Sequence, residues 1–367
     1  MGGIENHLHQ LSNELVKLGN DITVSVSNDN LSSAHETIDG VKVYRAPLVT
    51  TVFNAPVIVP VRHNEEKFDI VHVHLPNPIA SISALSNQSQ NIVVSYHSDV
   101  IKDNIFAKSL NHLYTKLVLT PLLDRAKVII ATSPNYVAGS KILQKYKKKV
   151  RVVPYSVDLE LFKLNKSNKK TFLELKEKYK GKKIILFVGR LVPYKGLEFL
   201  IRAMPSIREE IKNIKLIIIG DGILKQQLEE MVSELGLDDC IEFIPGLHNE
   251  KLPPYYFAAE LFVLPSIYKA EAFGIVQLEA MACGKPIVST NVFGSGISYA
   301  NKNGETGLVV PPRNPKQLSK AVIKILGGEN FRKLLGRNSK LRVKKYFSKS
   351  TMVKNILKIY KSILAPR

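Results

Sequence analysis

Ile184-Ile185-Leu186-Phe187-Val188-Gly189-Arg190-Leu191-Val192-Pro193-Tyr194-Lys195-Gly196 opens on five apolar residues and closes on a turn that carries two cations. A helical pattern follows at once, over 196–210. A short continuous apolar run suits a strand buried on both faces of a parallel sheet. A strand that passes through a glycine turn into a helix is the repeating unit of doubly wound α/β layers. The same alternation runs outward in both directions. Apolar runs recur at 215–219, 241–244, 261–264, 286–289 and 306–310, and earlier at 22–26, 70–74, 92–96, 128–132 and 150–154. Helical patterns lie among them at 5–17, 224–235, 276–282 and 315–326; Asn314 is placed to cap the last, with Pro315 in its first turn. The fold class expected is α/β, with two Rossmann-like doubly wound parallel-sheet domains.

The junction falls in a polar stretch dense in Lys and Asn at 155–170, after which a second strand–helix series begins at Lys182. The expected domains are 1–160 and 161–345, with a basic helical segment, 346–367, packing back across the junction. The start is unusual. Met1-Gly2-Gly3-Ile4-Glu5 places a glycine pair at the opening of a helix with no strand before it. Such a turn ordinarily follows a strand, because glycine lets the backbone turn sharply and approach a ligand. The first strand of the N-terminal sheet therefore reads as missing, which would leave its neighbours as open edges.

The chain has 367 residues, 45% hydrophobic and 23% charged. That is ordinary globular composition and excludes disorder, collagen and coiled coil for the whole chain. Two cysteines, Cys240 and Cys283, cannot build a disulfide framework or a four-ligand zinc site, which suits a reducing compartment. No apolar run reaches the ~20 residues that span a bilayer, and the polar residues 2–10 do not read as a secretory signal. The expected location is cytoplasmic, with peripheral attachment to the inner face of the plasma membrane as an added expectation. The net charge is +20, and residues 161–367 carry 36 Lys and Arg against 18 Asp and Glu. Such a field attracts nucleotides, anionic lipid or nucleic acid. A lysine-rich solvated surface would produce the same count, since Lys outnumbers Arg 40 to 12.

Three stretches carry chemistry. In the first, Arg190 and Lys195 sit between a strand's carboxyl end and a helix start. A guanidinium fork, a compact ammonium and helix-end amides together make a diphosphate site; two surface charges on an ordinary loop are the alternative. The second is Ala270-Glu271-Ala272-Phe273-Gly274-Ile275-Val276-Gln277-Leu278-Glu279. Gly274 opens a helix there, so Gly274, Ile275 and Val276 offer N–H groups to a phosphate. Glu271 and Glu279 can face one bound sugar nucleotide, Glu271 at sugar hydroxyls and Glu279 at a ribose diol, because carboxylates are strong acceptors. Two solvated acids are the alternative. The third is Val94-Ser95-Tyr96-His97-Ser98-Asp99, with His97 leaving a strand at the end where open α/β sheets bind ligands; a structural histidine is the alternative.

Taken together, these residues resemble one family. Glu271 and Glu279 with Phe273-Gly274 between them, Arg190 with Lys195, the Gly2-Gly3 loop and His97 resemble the retaining GT-B glycosyltransferases of family 4. So do Thr132-Ser133-Pro134-Asn135, Val153-Pro154-Tyr155-Ser156-Val157-Asp158, Gly220-Asp221-Gly222 and Glu305-Thr306-Gly307-Leu308. The resemblance implies a C-terminal domain that holds a nucleotide-sugar donor, an N-terminal domain that holds the acceptor, and reaction in the cleft between them. It implies that Arg190 and Lys195 neutralise the leaving diphosphate, that Glu271 holds sugar hydroxyls and Glu279 the ribose, and that His97 meets the far side of the transferring sugar. Gly2, Gly3, Gly220, Gly222, Phe273, Gly274, Ile275 and Val276 join the donor site on the same basis. One departure is Gly294-Ser295-Gly296-Ile297-Ser298, where family members often carry a Glu at the position of Ser298.

Glycosyl transfer passes through an oxocarbenium-like transition state, and here the leaving group is already a diphosphate. What the protein adds is charge stabilisation and positioning. The sequence contains no Asp-x-Asp, so two cations and a helix end are expected to replace a metal, with no cofactor. No carboxylate announces itself as a nucleophile, which favours the family's front-face route. The mixed basic and apolar segment 102–127 suits docking on an anionic membrane, or a buried helix with snorkelling lysines. With Tyr96-His97-Ser98-Asp99 it resembles bacterial enzymes that add mannose to lipid-linked polysaccharide precursors. That points to GDP-mannose and a lipid-linked saccharide acceptor; UDP-hexoses are the alternative donors. A Rossmann oxidoreductase would need a third glycine in Gly220-Asp221-Gly222 or Gly294-Ser295-Gly296. Sequence-specific nucleic-acid binding lacks a recognition module.

Overall fold

The computed structural model describes residues 3–28, 30–52, 55–58, 68–86, 91–100 and 105–365. They form two compact units. The first comprises residues 1–154 with 349–367, and the second residues 155–348.

In the first unit the strands are β1 (Thr23–Ser27), β2 (Ala34–Ile38), β3 (Val41–Ala46), β4 (Leu48–Val52), β5 (Ala55–Ile58), β6 (Val71–Leu75), β7 (Ile92–Tyr96), β8 (Val128–Ala131) and β9 (Val150–Val152). β6-β7-β8-β9 is a parallel sheet, and β1-β3-β2 pairs β1 with β3 in parallel and β2 with β3 as an antiparallel hairpin. Among the described residues no strand joins β1 to β6. Leu11 and Leu15 of the helix Gly3–Lys17 pack with Val93, Val128 and Ile130 and with Met352, Val353 and Ile356 of the C-terminal helix Lys349–Leu364. These four-residue spacings put one stripe of each helix inward.

In the second unit β10 (Lys183–Val188), β11 (Ile214–Ile219), β12 (Ile241–Ile244), β13 (Leu261–Leu264), β14 (Ile287–Thr290) and β15 (Gly307–Val310) form one parallel sheet in the order β12-β11-β10-β13-β14-β15. The opening run of β10 shows why it is apolar throughout. Ile184, Leu186 and Val188 enter one core layer, Ile185 and Phe187 the other. A strand with both faces covered has no polar side to show. The helix Leu197–Glu210 covers one face through Leu200, Ile201, Met204 and Ile207. The helix Ile275–Ala282 covers the other through Leu278 and Met281. Strand order reverses between β10 and β13, so the loops after these two strands leave the sheet at a topological switch point, where such sheets bind ligands.

The stretch expected to be a linker is part of the second unit. Tyr155, Val157 and Phe162 are buried in its core, and Val157 N donates to the Phe347 carbonyl at 2.9 Å. Its lysines and asparagines mark an exposed surface, while these three apolar side chains carry the packing.

Candidate active site

The loop after β10 is held from two sides. Gly189 N donates to the Ile219 carbonyl at 3.0 Å and Leu191 N to the Asp221 carbonyl at 2.8 Å. A Cβ on Gly220 would collide with the Gly189 carbonyl, and one on Gly222 with the backbone of Leu191. These two glycines, expected at the donor, therefore serve a closer purpose: they let two backbones cross so that the Arg190 loop sits on β11. Arg190 is exposed, and its Nη2 donates to the Tyr194 hydroxyl at 3.0 Å, which orients the fork. Lys195 ends a short turn and is buried at 7% exposure. Gly196 follows at φ +64°, where a side chain would strike the Pro265 carbonyl, and Ile267 N donates to the Tyr194 carbonyl at 2.9 Å. Left-handed backbone of this kind favours glycine. The loops after β10 and β13 are thus one packed body.

The second loop meets Lys195 there. Lys195 Nζ pairs with Glu271 Oε2, and both side chains are about nine-tenths buried. Ser266 Oγ donates to the same Oε2 at 3.4 Å. The Glu271 carbonyl accepts from Ser295 Oγ, and Gly296 N donates to the Ala272 carbonyl at 2.7 Å. The stretch that carries Ser298 therefore braces the Glu271 loop through Ser295 and Gly296. Gly274, at φ +76°, opens the helix Ile275–Ala282. At any helix start the first N–H groups have no partner within the helix, so Ile275 and Val276 present donors beside the Lys195–Glu271 pair.

Glu279 lies one turn inside the helix, buried at 8% exposure, and its Oε2 accepts from the Tyr256 hydroxyl at 2.7 Å. Burial pushes its carboxyl up to about 7, against the pull of the Tyr256 hydrogen bond and the Lys195 charge. Phe273, expected in the donor site, turns its ring into the core. Its ring is buried against Tyr155 at 5.5 Å, Phe347 at 6.0 Å and Tyr299 at 6.5 Å. An aromatic of that size between two catalytic-looking residues is here a core residue that anchors the loop. Gly2 lies outside the described residues, and Gly3 is the first residue of its helix.

In the first unit His97 follows β7, buried at 3% exposure, with its N donating to the Leu75 carbonyl at 3.0 Å. Its Nε2 lies 3.0 Å from His74 Nδ1, and the rings stack at 5.2 Å. Burial, then the His7 and His72 charges, hold its imidazole well below the usual histidine range. Tyr256, Ser266, Ser295 and His74 escaped sequence reasoning. The alternation His72-Val73-His74 on an apolar strand was the available signal for the last; nothing local marks the other three.

Within the second unit the fold thus gathers Arg190, Lys195, Glu271, the N–H groups of 275–276 and Glu279. Cations and amides beside two carboxylates suit an anionic, hydroxyl-rich ligand.

Residues 168–342 match the family model described as glycosyl transferases group 1, and residues 1–161 match that of glycosyltransferase family 4. The chain is 30% identical to the D-rhamnosyltransferase WbpZ of Pseudomonas aeruginosa, over 95% of this chain and 89% of that protein. It is 28% identical to the O-antigen chain mannosyltransferase C of Escherichia coli, over 99% and 95%. Among solved structures it is similar to sucrose-phosphate synthase from Thermosynechococcus elongatus, with a TM-score of 0.78 at 23% identity, over 99% of this chain and 94% of that one. That likeness concerns the fold, and it excludes the oxidoreductase reading no more than it supplies a substrate; the family matches do the former. The chain belongs to the family 4 glycosyltransferases, and its two Rossmann-like units are those of the GT-B fold.

Proposed function

We propose that the protein transfers a manno-configured hexose, mannose from GDP-mannose in the first instance, to a lipid-linked or polysaccharide acceptor in cell-envelope glycan synthesis. Two relatives support the sugar. One is named for mannose and the other for D-rhamnose, which is 6-deoxymannose, and the first is named for the O-antigen chain.

The observation that carries the donor site is the buried Lys195–Glu271 pair, set between a helix start and the exposed fork of Arg190. In this reading Arg190, Lys195 and the N–H groups of 275–276 take the diphosphate as negative charge builds on it, without a divalent ion. Glu271 accepts hydroxyls of the transferred sugar, Glu279 accepts the ribose diol, and His97 meets the sugar. Configuration is retained by a front-face route in which the leaving phosphate takes the acceptor proton. The test is release of nucleoside diphosphate from GDP-mannose and UDP-glucose in EDTA. Turnover of GDP-mannose alone supports the reading. Turnover of UDP-glucose alone replaces the donor, and no turnover without a divalent ion removes the metal-free mechanism.

Peripheral attachment to anionic lipid belongs to the same reading. Leu110, Leu113 and Leu117 are 44%, 51% and 60% exposed along the helix Ile105–Tyr114 and its continuation Thr115–Leu119, with Lys108 and Lys116 exposed beside them. Exposed leucines flanked by lysines favour a membrane surface over a buried helix. No described helix is long and apolar enough to cross a membrane.

A further inference from the structure

We propose that the helix Glu329–Tyr346 carries a lipid-docking face of its own, which takes the anionic surface of a bilayer. This extends membrane attachment to the second unit, and it rests on the reading that the protein works at an anionic membrane.

The sequence sets the face. Three pairs of residues stand seven apart on this helix: Lys333 and Lys340, Leu334 and Leu341, Arg337 and Lys344. Seven residues make nearly two turns, so each pair forms a row along the axis, and the three rows are neighbours. All six residues are exposed, Leu334 at 54% and Leu341 at 57%.

Packing holds the helix in this rotation. Leu335, Gly336, Ser339 and Val343 are buried on its other side. A Cβ on Gly336 would strike the Gly284 carbonyl, so the backbone sits close on its neighbour there. Arg342 Nε donates to the Ala300 carbonyl at 3.0 Å, and its Nη2 donates to the Tyr299 carbonyl at 2.7 Å. Leu334 and Leu341 could turn inward only by breaking these contacts.

Charge separates this face from an ordinary lysine-rich surface. Glu329 opens the helix and pairs with Lys333 at 2.6 Å, and residues 330–367 contain no acid. The helix Lys166–Lys178 also exposes a leucine, Leu173, among lysines, but Glu174 and Glu177 stand beside it. The helix Pro315–Gly327 exposes Lys316, Lys320 and Lys324 and no large apolar side chain. On Glu329–Tyr346 exposed leucines and uninterrupted positive charge coincide. An anionic bilayer uses both. The leucines enter the boundary between headgroups and acyl chains, while the cations meet lipid phosphates and lay their stems along the apolar surface. A nucleic acid would take the cations and leave the leucines in water. A second copy of this face would set cations against cations.

The chain contains no tryptophan, so one substitution supplies a lone reporter in the full-length protein. With vesicles of phosphatidylglycerol and phosphatidylcholine, the emission of Leu341→Trp should shift to the blue and that of Leu173→Trp should not. An unshifted Leu341→Trp overturns the proposal, and so does an equal shift at position 173. Leu113→Trp separates this face from that of the first unit. A shift there without one at 341 keeps the attachment through the first unit and removes this face; no shift at either removes both. Sedimentation with the same vesicles is the second readout. Arg337→Gln, Lys340→Gln and Lys344→Gln together should weaken binding at least about tenfold, as should Leu334→Ser with Leu341→Ser. Lys166→Gln, Lys169→Gln and Lys170→Gln remove the same charge from another exposed helix and should have little effect. Equal losses in the two triple variants would mean that the overall field acts, and a leucine variant that sediments like the wild type would mean that headgroup charge alone acts. Either result overturns the proposal.

Discussion

The Tyr256 hydroxyl donates to Glu279 Oε2 at 2.7 Å inside the core of the second unit, linking the helices Pro253–Ala258 and Ile275–Ala282. The bond favours the carboxylate, and burial outweighs it.

The carboxyl of Glu279 has an ordinary value of 4.5 and is pushed up to about 7 in the folded chain. The folded state therefore binds more protons than the unfolded state between those values, so stability falls as pH rises through that window and levels off above it. Donor binding runs the other way. The ribose diol needs the ionised form, so affinity for GDP should rise with pH through about 7. Tyr256→Phe removes the hydrogen bond that favours ionisation and should move that midpoint to higher pH. Calorimetric titration of GDP at several pH values checks both statements; a flat profile would remove Glu279 from the donor site.

Glu271→Ala leaves Lys195 buried and uncompensated, a situation that costs about 3–5 kcal/mol. It also removes an acceptor of sugar hydroxyls. The expected loss in kcat for GDP-mannose is about 10²- to 10³-fold. Glu271→Ala with Lys195→Met should regain stability but not turnover, which thermal melts and initial rates separate.

Gly274→Ala should destabilise the second unit by about 1–3 kcal/mol, since alanine at φ +76° is strained and its Cβ meets Leu264 Cδ2. The melting temperature should fall by several degrees. An unchanged melting temperature would mean that the helix start can relax without the left-handed turn.

Leu113→Glu with Leu117→Glu should weaken sedimentation with phosphatidylglycerol vesicles about tenfold or more, because each buried leucine is worth about 1.5–3 kcal/mol. Turnover of GDP-mannose with a water-soluble acceptor should not change. Equal sedimentation of both proteins would exclude this face from membrane contact.

Much of the fold was legible because parallel strands buried on both faces leave continuous apolar runs. β7, β12 and β13 coincide with theirs, and eight other runs fall within a residue or two of a strand. The β2–β3 hairpin was missed because Ala34–Ile38 is polar and mostly exposed. Its turn did carry a signal, Asp39-Gly40 with both residues at positive φ, the favoured chemistry of a tight hairpin. In the donor site the charged residues were legible from their order along the chain. Their partners were not. Tyr256 lies 23 residues from Glu279 and Ser295 lies 24 from Glu271, so only the folded sheet brings them together. Phe273 shows the converse, since a large apolar residue in a motif looks the same whether its ring faces a ligand or, as here, the core.

The most direct measurement is calorimetric titration of GDP into the protein in excess EDTA, with Arg190→Ala and Lys195→Ala beside the wild type. Binding in EDTA as tight as with magnesium, weakened at least about tenfold by either substitution, is expected of a diphosphate held by fixed cations and a helix end. Binding that appears only when magnesium is added, or that ignores both substitutions, would contradict it.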